Sequence, residues 1–201
     1  MKIKFIVFDG IDGCGSGTIG KLLRDYLKSK GLKVFLTHDP NKNLSLGKKI
    51  RELLEKKSSE KYTRQFWLTL FTQSRHELIE KIIKPKLERS YIVICDRYYY
   101  STLAYQLNEK EWKDYLNKYR FLKPDIAFIL DVAPVISLKR TKKRQRKTIF
   151  EKEKFLEKVR EKFIKIYKKR KLLNENIWLI DASQPKAKVF SDVKKIIEKL
   201  I

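Results

Sequence analysis

The chain has 201 residues, 42% of them hydrophobic, which suits one domain with a substantial core and excludes a disordered chain. Its 48 Lys and Arg against 24 Asp and Glu leave a net charge of +24, pointing either to anionic ligands, nucleotides or nucleic acid, or to a lysine-rich surface suited to heat. Two cysteines (Cys14 and Cys95) make no disulfide framework, and without an apolar run of 18 residues or a leader before the first strand, a cytoplasmic protein free of membrane spans is expected.

Strand-like apolar runs alternate with helical patterns. The expected strands are 2–9, 33–37, 91–95, 125–131 and 177–181, several apolar almost throughout, as in a parallel sheet covered on both faces. The first helix should run from about Gly17 to Lys30 and stop at Gly31. Further helices are expected at 45–57, 62–89, 109–119, 134–143, 151–172 and 185–200, with Pro85 kinking or breaking the long one. This alternation implies an open α/β sheet, with ligands beyond the carboxyl ends of its strands.

Between the first strand and the first helix lies Gly10-Ile11-Asp12-Gly13-Cys14-Gly15-Ser16-Gly17-Thr18. Gly10 and Gly15 have the outer spacing of the phosphate-binding loop G-x-x-x-x-G-K-[ST], and a turn of this kind aims backbone N–H groups and a helix dipole at phosphate. Ser16 stands where the loop lysine belongs, and Gly17 where the magnesium hydroxyl belongs.

Phe8-Asp9-Gly10-Ile11-Asp12-Gly13-Cys14-Gly15, followed by Thr18, resembles the thymidylate kinase signature F-E-G-x-D-G-x-G-K-[ST]-T. Four further blocks follow in the family's order: Leu46-Gly47-x-x-Ile50-Arg51-Glu52-Leu53-Leu54; Asp96-Arg97-Tyr98-x-x-Ser101-x-x-Ala104-Tyr105-Gln106; Pro124-Asp125 leading to Leu130-Asp131-Val132-x-Pro134; and Asp181-Ala182-Ser183-Gln184. The resemblance implies a nucleoside monophosphate kinase fold with a five-stranded parallel sheet, one domain over 1–201, and a basic lid at about 139–151. It also implies transfer from ATP to dTMP with Mg²⁺, and a homodimer to which the aromatic stretch 62–72 contributes unless core burial accounts for it.

By resemblance, Gly10, Gly13, Cys14, Gly15, Ser16, Gly17 and Thr18 hold the donor phosphates, and Ser183 and Gln184 face the adenine. Asp96 and Asp12 organise the metal, with Asp9 nearby, and Arg97, whose planar fork suits phosphate, grips the acceptor together with His38. Phe71 stacks on the thymine, and Arg75, on the same helical face four residues on, reaches its edge. Thr102 lies near the pyrimidine and Tyr105 crowds the sugar 2′ position. Lid residues Arg140 and Arg144 act on the migrating phosphoryl group, Arg146 is an extra cation, and Glu151 and Phe155 continue the pattern while Thr148 replaces a lid acid. Read without the resemblance, Asp96 is also a plain strand-end carboxylate, Phe71 a core residue, 139–147 a solvated or RNA-binding run, and Asp181 to Gln184 a helix cap.

Three departures bear on catalysis. Ser16 supplies no ammonium, Gly17 no hydroxyl, and Thr37-His38-Asp39-Pro40 carries histidine where the family pattern [ST]-R-E-P has arginine. Lys21, the lid arginines and Lys42 are the candidate substitute cations, and Thr18 or Ser16 the substitute hydroxyl. If none substitutes, the chain is a nucleotide-binding regulatory protein with weak or no transfer. A kinase for another pyrimidine nucleotide and a nucleic-acid-binding module are the remaining alternatives, the last not favoured.

Overall fold

All five expected apolar runs form strands. The computed structural model describes residues 3–56, 61–141 and 153–200. Strands β1 (Phe5–Gly10), β2 (Val34–His38), β3 (Ile92–Asp96), β4 (Ile126–Asp131) and β5 (Ile177–Asp181) make one sheet in the order β2-β3-β1-β4-β5, every pairing parallel. Each residue of β1 is buried, as are all but the last residues of β3 and β4, so both faces of the central sheet are covered. The chain starts at the centre, crosses to the edge with β2, returns to place β3 between β2 and β1, and then moves outward on the other side through β4 and β5. This brings the carboxyl ends of β1, β2 and β3 together, with Phe8 and His38 both in register with Asp96.

Helix α1 (Ser16–Ser29) buries Ile19, Leu23 and Leu27, one stripe at helical spacing, and lays Gly20 against the sheet. It ends as expected: Gly31 adopts φ 79°, donating to Lys28 O, while Leu32 donates to Leu27 O, which satisfies the last carbonyls. Helices α2 (Ser45–Glu55) and α3 (Arg64–Leu78) share a second small core of Ile50, Leu53, Trp67 and Leu70. The segment expected as one helix over 62–89 is divided. After α3 the chain widens into a π turn over Ile79–Ile83, then resumes as α4 (Lys84–Glu88). Pro85 lacks an N–H and would crowd the carbonyl four residues back. The wide turn relieves that conflict and leaves Pro85 in the first turn of α4, where proline is tolerated.

One helix was not expected. Helix α5 (Tyr99–Gln106) buries Tyr99, Tyr100, Thr102, Leu103, Ala104 and Gln106 and turns Ser101, Thr102, Tyr105 and Gln106 to the cavity described below, so it carries no charged stripe facing solvent. Helices α6 (Trp112–Tyr119, preceded by a 3₁₀ turn), α7 (Pro134–Thr141), α8 (Glu153–Leu172) and α9 (Lys186–Glu198) fall where periodicity placed them. Only 139–141 of the expected lid, the end of α7, lie within the described residues; Arg144, Arg146, Thr148 and Glu151 lie outside them. Among the described residues no helix is long and apolar enough to cross a membrane.

Candidate active site

A cavity of about 420 Å³ opens at the carboxyl ends of the central strands. Its lining runs from the loop (Asp12, Gly13 and Gly15 to Thr18) past Asp96 and Arg97 to His38, Phe71, Arg75, Thr102, Tyr105 and Gln106. At the loop end, Gly15 takes the left-handed conformation (φ 99°) at the N-cap of α1, where a side chain would be strained. No side chain caps this helix and its first turn holds no acid, so the positive end of its dipole faces the cavity, where the Asp96 carboxylate stands beside it. Gly13 is needed for close approach: a Cβ there would lie 2.6 Å from the Ser137 carbonyl, because α7 rests directly on the loop. Cys14 is buried beneath the loop, and burial pushes its thiol up to about 11, so it is a neutral packing group.

Beneath the loop, the Asp9 carboxylate accepts from the backbone N–H groups of Gly10, Tyr98 and Ser101 and from Ser101 Oγ at 2.6 Å. Asp9 thereby ties β1 to the start of α5. Burial pushes its carboxyl up to about 6, against the opposing pull of Arg97 and these donors. In the unfolded chain it titrates near 3.8, so between those values the folded chain holds a proton that the unfolded chain has released. The stability this group contributes is therefore complete at low pH and is lost as pH rises through about 6, by up to about 3 kcal/mol. Denaturant unfolding between pH 4 and 7 is expected to show that slope in the wild type and to lose it in Asp9→Asn; equal slopes would rule out Asp9 as its source.

Arg97 sits in left-handed backbone (φ 70°), which turns its side chain back over the loop. Its guanidinium donates to Asp12 Oδ1 at 2.6 Å, to Ser101 Oγ at 3.0 Å and to the Gly10 carbonyl at 3.2 Å, and lies 5.5 Å from the Tyr105 ring centre. Tyr105 Oη accepts the Asp12 N–H at 2.9 Å and donates to Asp12 Oδ2 at 3.3 Å. Asp12, Arg97 and Tyr105 thus form one unit whose arginine and carboxylate remain partly open to the cavity.

At the other end, Arg75 is fully buried. It donates to Asp39 at 2.6 Å, to Thr102 Oγ1 at 3.0 Å and to Tyr115 Oη at 3.3 Å. Burial raises the Asp39 carboxyl, the adjacent Arg75 opposes that rise, and Asp39 in turn holds Arg75 charged. Phe71 is half-buried, 6.0 Å from Trp67 ring to ring, and lines the cavity beside Arg75. His38 Nδ1 lies 2.7 Å from the Pro40 carbonyl, at the end of β2. Sequence reasoning assigned no role to Gln106 or Arg51, yet both line the cavity. Gln106 is buried with both amide atoms unpartnered among the described residues. Both residues stood in recognised blocks, but a side chain's direction is not readable from a block.

Asp96, at the end of β3, points its carboxylate into the loop end of the cavity, and its Oδ1 is buried with no hydrogen-bond partner among the described residues. An anionic oxygen in that state calls for a cation. Among the described residues no group of three or more His, Cys, Asp and Glu gathers.

Other expected residues are not gathered in. Ser183 and Gln184 fold onto Asp181, with Ser183 Oγ donating at 2.6 Å and Gln184 Nε2 at 3.0 Å, and neither lines the cavity. They form a turn after β5 rather than a cap on α9, whose first turn has no side-chain cap. Lys21, Lys42 and Arg140 are exposed and do not line the cavity either, although α7 carries Arg140 on the helix that touches the loop.

A parallel sheet ordered 2-3-1-4-5, with a glycine loop at the head of α1 and an acid–arginine pair beside it, defines a P-loop phosphotransferase. Comparison with known proteins narrows the class. The thymidylate kinase family profile matches residues 8–193. The thymidylate kinase of Thermosipho africanus is 38% identical over 97% of this chain and 98% of its own length. The "Probable thymidylate kinase" of Staphylothermus marinus is 41% identical over 96% and 94%, and the thymidylate kinase of Fervidobacterium nodosum 36% over 96% and 97%. The chain belongs to the thymidylate kinase family.

Proposed function

We propose that this chain transfers the γ-phosphoryl group of ATP to dTMP, yielding dTDP and ADP. One observation carries the reading: a continuous cavity joins the phosphate-binding loop to the Phe71–Arg75–Thr102 corner, with Arg97 and Asp12 between them. The acceptor phosphate oxygen attacks the γ-phosphorus in line while the bond to the ADP oxygen breaks. Little covalent work falls to the protein, which positions the groups and balances charge.

The loop amides and the α1 dipole hold the donor phosphates. Arg97 exchanges part of its contact with Asp12 for the acceptor phosphate, and His38 borders that phosphate. Phe71 stacks on the base, Arg75 and Thr102 meet its edge, and the Tyr105 ring crowds the 2′ position. Asp96, with Asp12 nearby, holds a magnesium ion, which when bound neutralises phosphate charge. Arg140 and Arg144 complete the donor side, and Ser183 and Gln184 border the adenine. The active form is a homodimer in the cytoplasm; the Tyr62–Phe66 stack, 4.5 Å between rings with Tyr62 exposed, is the proposed contact face, and light scattering of the purified chain tests it.

A coupled ADP-release assay with dTMP, dUMP and dCMP tests the activity. Turnover highest with dTMP is expected, and ATP binding without turnover on any acceptor would overturn the reading. Ser16 lines the cavity in place of the loop lysine. Ser16→Lys is expected to tighten ATP by about tenfold or more, the worth of one charge-assisted hydrogen bond. An unchanged affinity would show that this position does not face the phosphates.

A further inference from the structure

We propose that Asp96 binds the nucleotide's divalent cation directly, in the space that the glycine at 17 leaves open, and so replaces the hydroxyl the loop lacks. This rests on the nucleotide-binding reading above. In the general loop motif, the residue after the lysine is Ser or Thr, and its hydroxyl ligates magnesium. Here that residue is Gly17, the second residue of α1. A Cβ built on Gly17 would lie 2.8 Å from Asp96 Oδ2, closer than real Cβ atoms approach such a group. The carboxylate thus stands over the backbone position from which the motif's hydroxyl would project. A serine or threonine at 17 and Asp96 in its present rotamer are mutually exclusive.

The other carboxylate oxygen supports the same assignment. Asp96 Oδ1 is buried without a partner among the described residues, although Gly15, Ser16 and Arg97 line the same cavity. A carboxylate pressed against a helix N-terminus, with one oxygen unsatisfied, is a ligand in wait for a hard cation. The missing hydroxyl and the position of the carboxylate are then linked. With no side chain at 17 the carboxylate has room beside α1, and its oxygen supplies a hard ligand of the kind the loop lacks. Ser16 and Thr18, the other hydroxyls in the loop, are not required.

The test measures ADP affinity by calorimetry with and without Mg²⁺, in the wild type and in Gly17→Ala, Ser16→Ala and Thr18→Ala. Magnesium is expected to tighten ADP in the wild type, and Gly17→Ala, which pushes the carboxylate away, to reduce that gain by roughly 10- to 100-fold. The magnesium gain is the ratio of the two affinities within each variant, so any change in metal-free ADP affinity cancels from it. Alanine favours a helical position over glycine, so the melting temperature should hold or rise, which separates the effect from unfolding. Pulsed ENDOR on the Mn²⁺–ADP complex, with ¹³C in the aspartate carboxyl groups, should show directly bound carboxylate carbon in the wild type and lose it in Gly17→Ala and Asp96→Asn. Equal magnesium gains in wild type and Gly17→Ala, loss of the gain in Ser16→Ala or Thr18→Ala instead, or a wild-type complex without strong ¹³C coupling would each overturn the proposal and leave the kinase reading standing. No ADP binding at all, with or without metal, would bring down both.

Discussion

Arg97→Ala is expected to lower kcat/KM for dTMP by about 10²- to 10³-fold, the usual cost of removing one preorganised electrostatic contact at a transferring group. The argument is geometric. The guanidinium is aimed by left-handed backbone, seated on Ser101 Oγ and the Gly10 carbonyl, and backed by the Tyr105 ring. Its bond to Asp12 lies at the cavity with both side chains partly exposed, so that contact is one an acceptor phosphate can share. Arg97→Lys keeps the charge but not the planar fork that reaches Ser101, Gly10 and Asp12 together, and should recover only part of the loss. Steady-state kinetics decide the point. An unchanged kcat/KM in Arg97→Ala would remove Arg97 from the mechanism, and full activity in Arg97→Lys would reduce its role to charge alone.

The second large effect is expected at Arg75. Arg75→Met should destabilise the fold by about 3–5 kcal/mol, because it strands Asp39 as an unpaired buried carboxylate. Asp39 Oδ1 already has no partner among the described residues, and Oδ2 depends on Arg75. For a chain of this length that is a fall of roughly 10 °C in Tm. The double variant Arg75→Met with Asp39→Leu removes both charges and should regain most of that stability without regaining dTMP affinity. Calorimetry for Tm and a dTMP titration on the same samples separate the two roles. If the double variant binds dTMP like the wild type, Arg75 is a structural residue only. If Arg75→Met melts with the wild type, the ion pair contributes nothing net.

Much of this is legible in the sequence. The five strands are continuous apolar runs because both faces of a parallel sheet are buried, and such runs stand out in a charged chain. Gly31 ended α1 by local backbone geometry alone. Helix α5 was not legible, because it holds no charged residue and its polar side faces the cavity instead of solvent, which leaves no strong contrast to reveal its period. The Pro124-Asp125 block was recognised, but its position was not: Asp125 accepts the N–H groups of Lys4 and Phe5 at the amino end of the sheet, away from the cavity, so there it pins β1. The missing loop lysine pointed to Lys21 and Lys42, which are exposed and do not line the cavity, whereas Arg51 on α2 does.

Residue types and their spacing along the chain determined the layers, the loop and the family, since those depend on backbone periodicity and on which positions hold glycine. Pairings between residues distant in the chain were decided only by the packed sheet: Arg75 with Asp39, Arg97 with Asp12, and Asp96 over Gly17. In each, one partner comes from a strand end or the loop behind it and the other from a different element, and only the sheet order brings those ends to one mouth, where burial makes every unpaired charge costly.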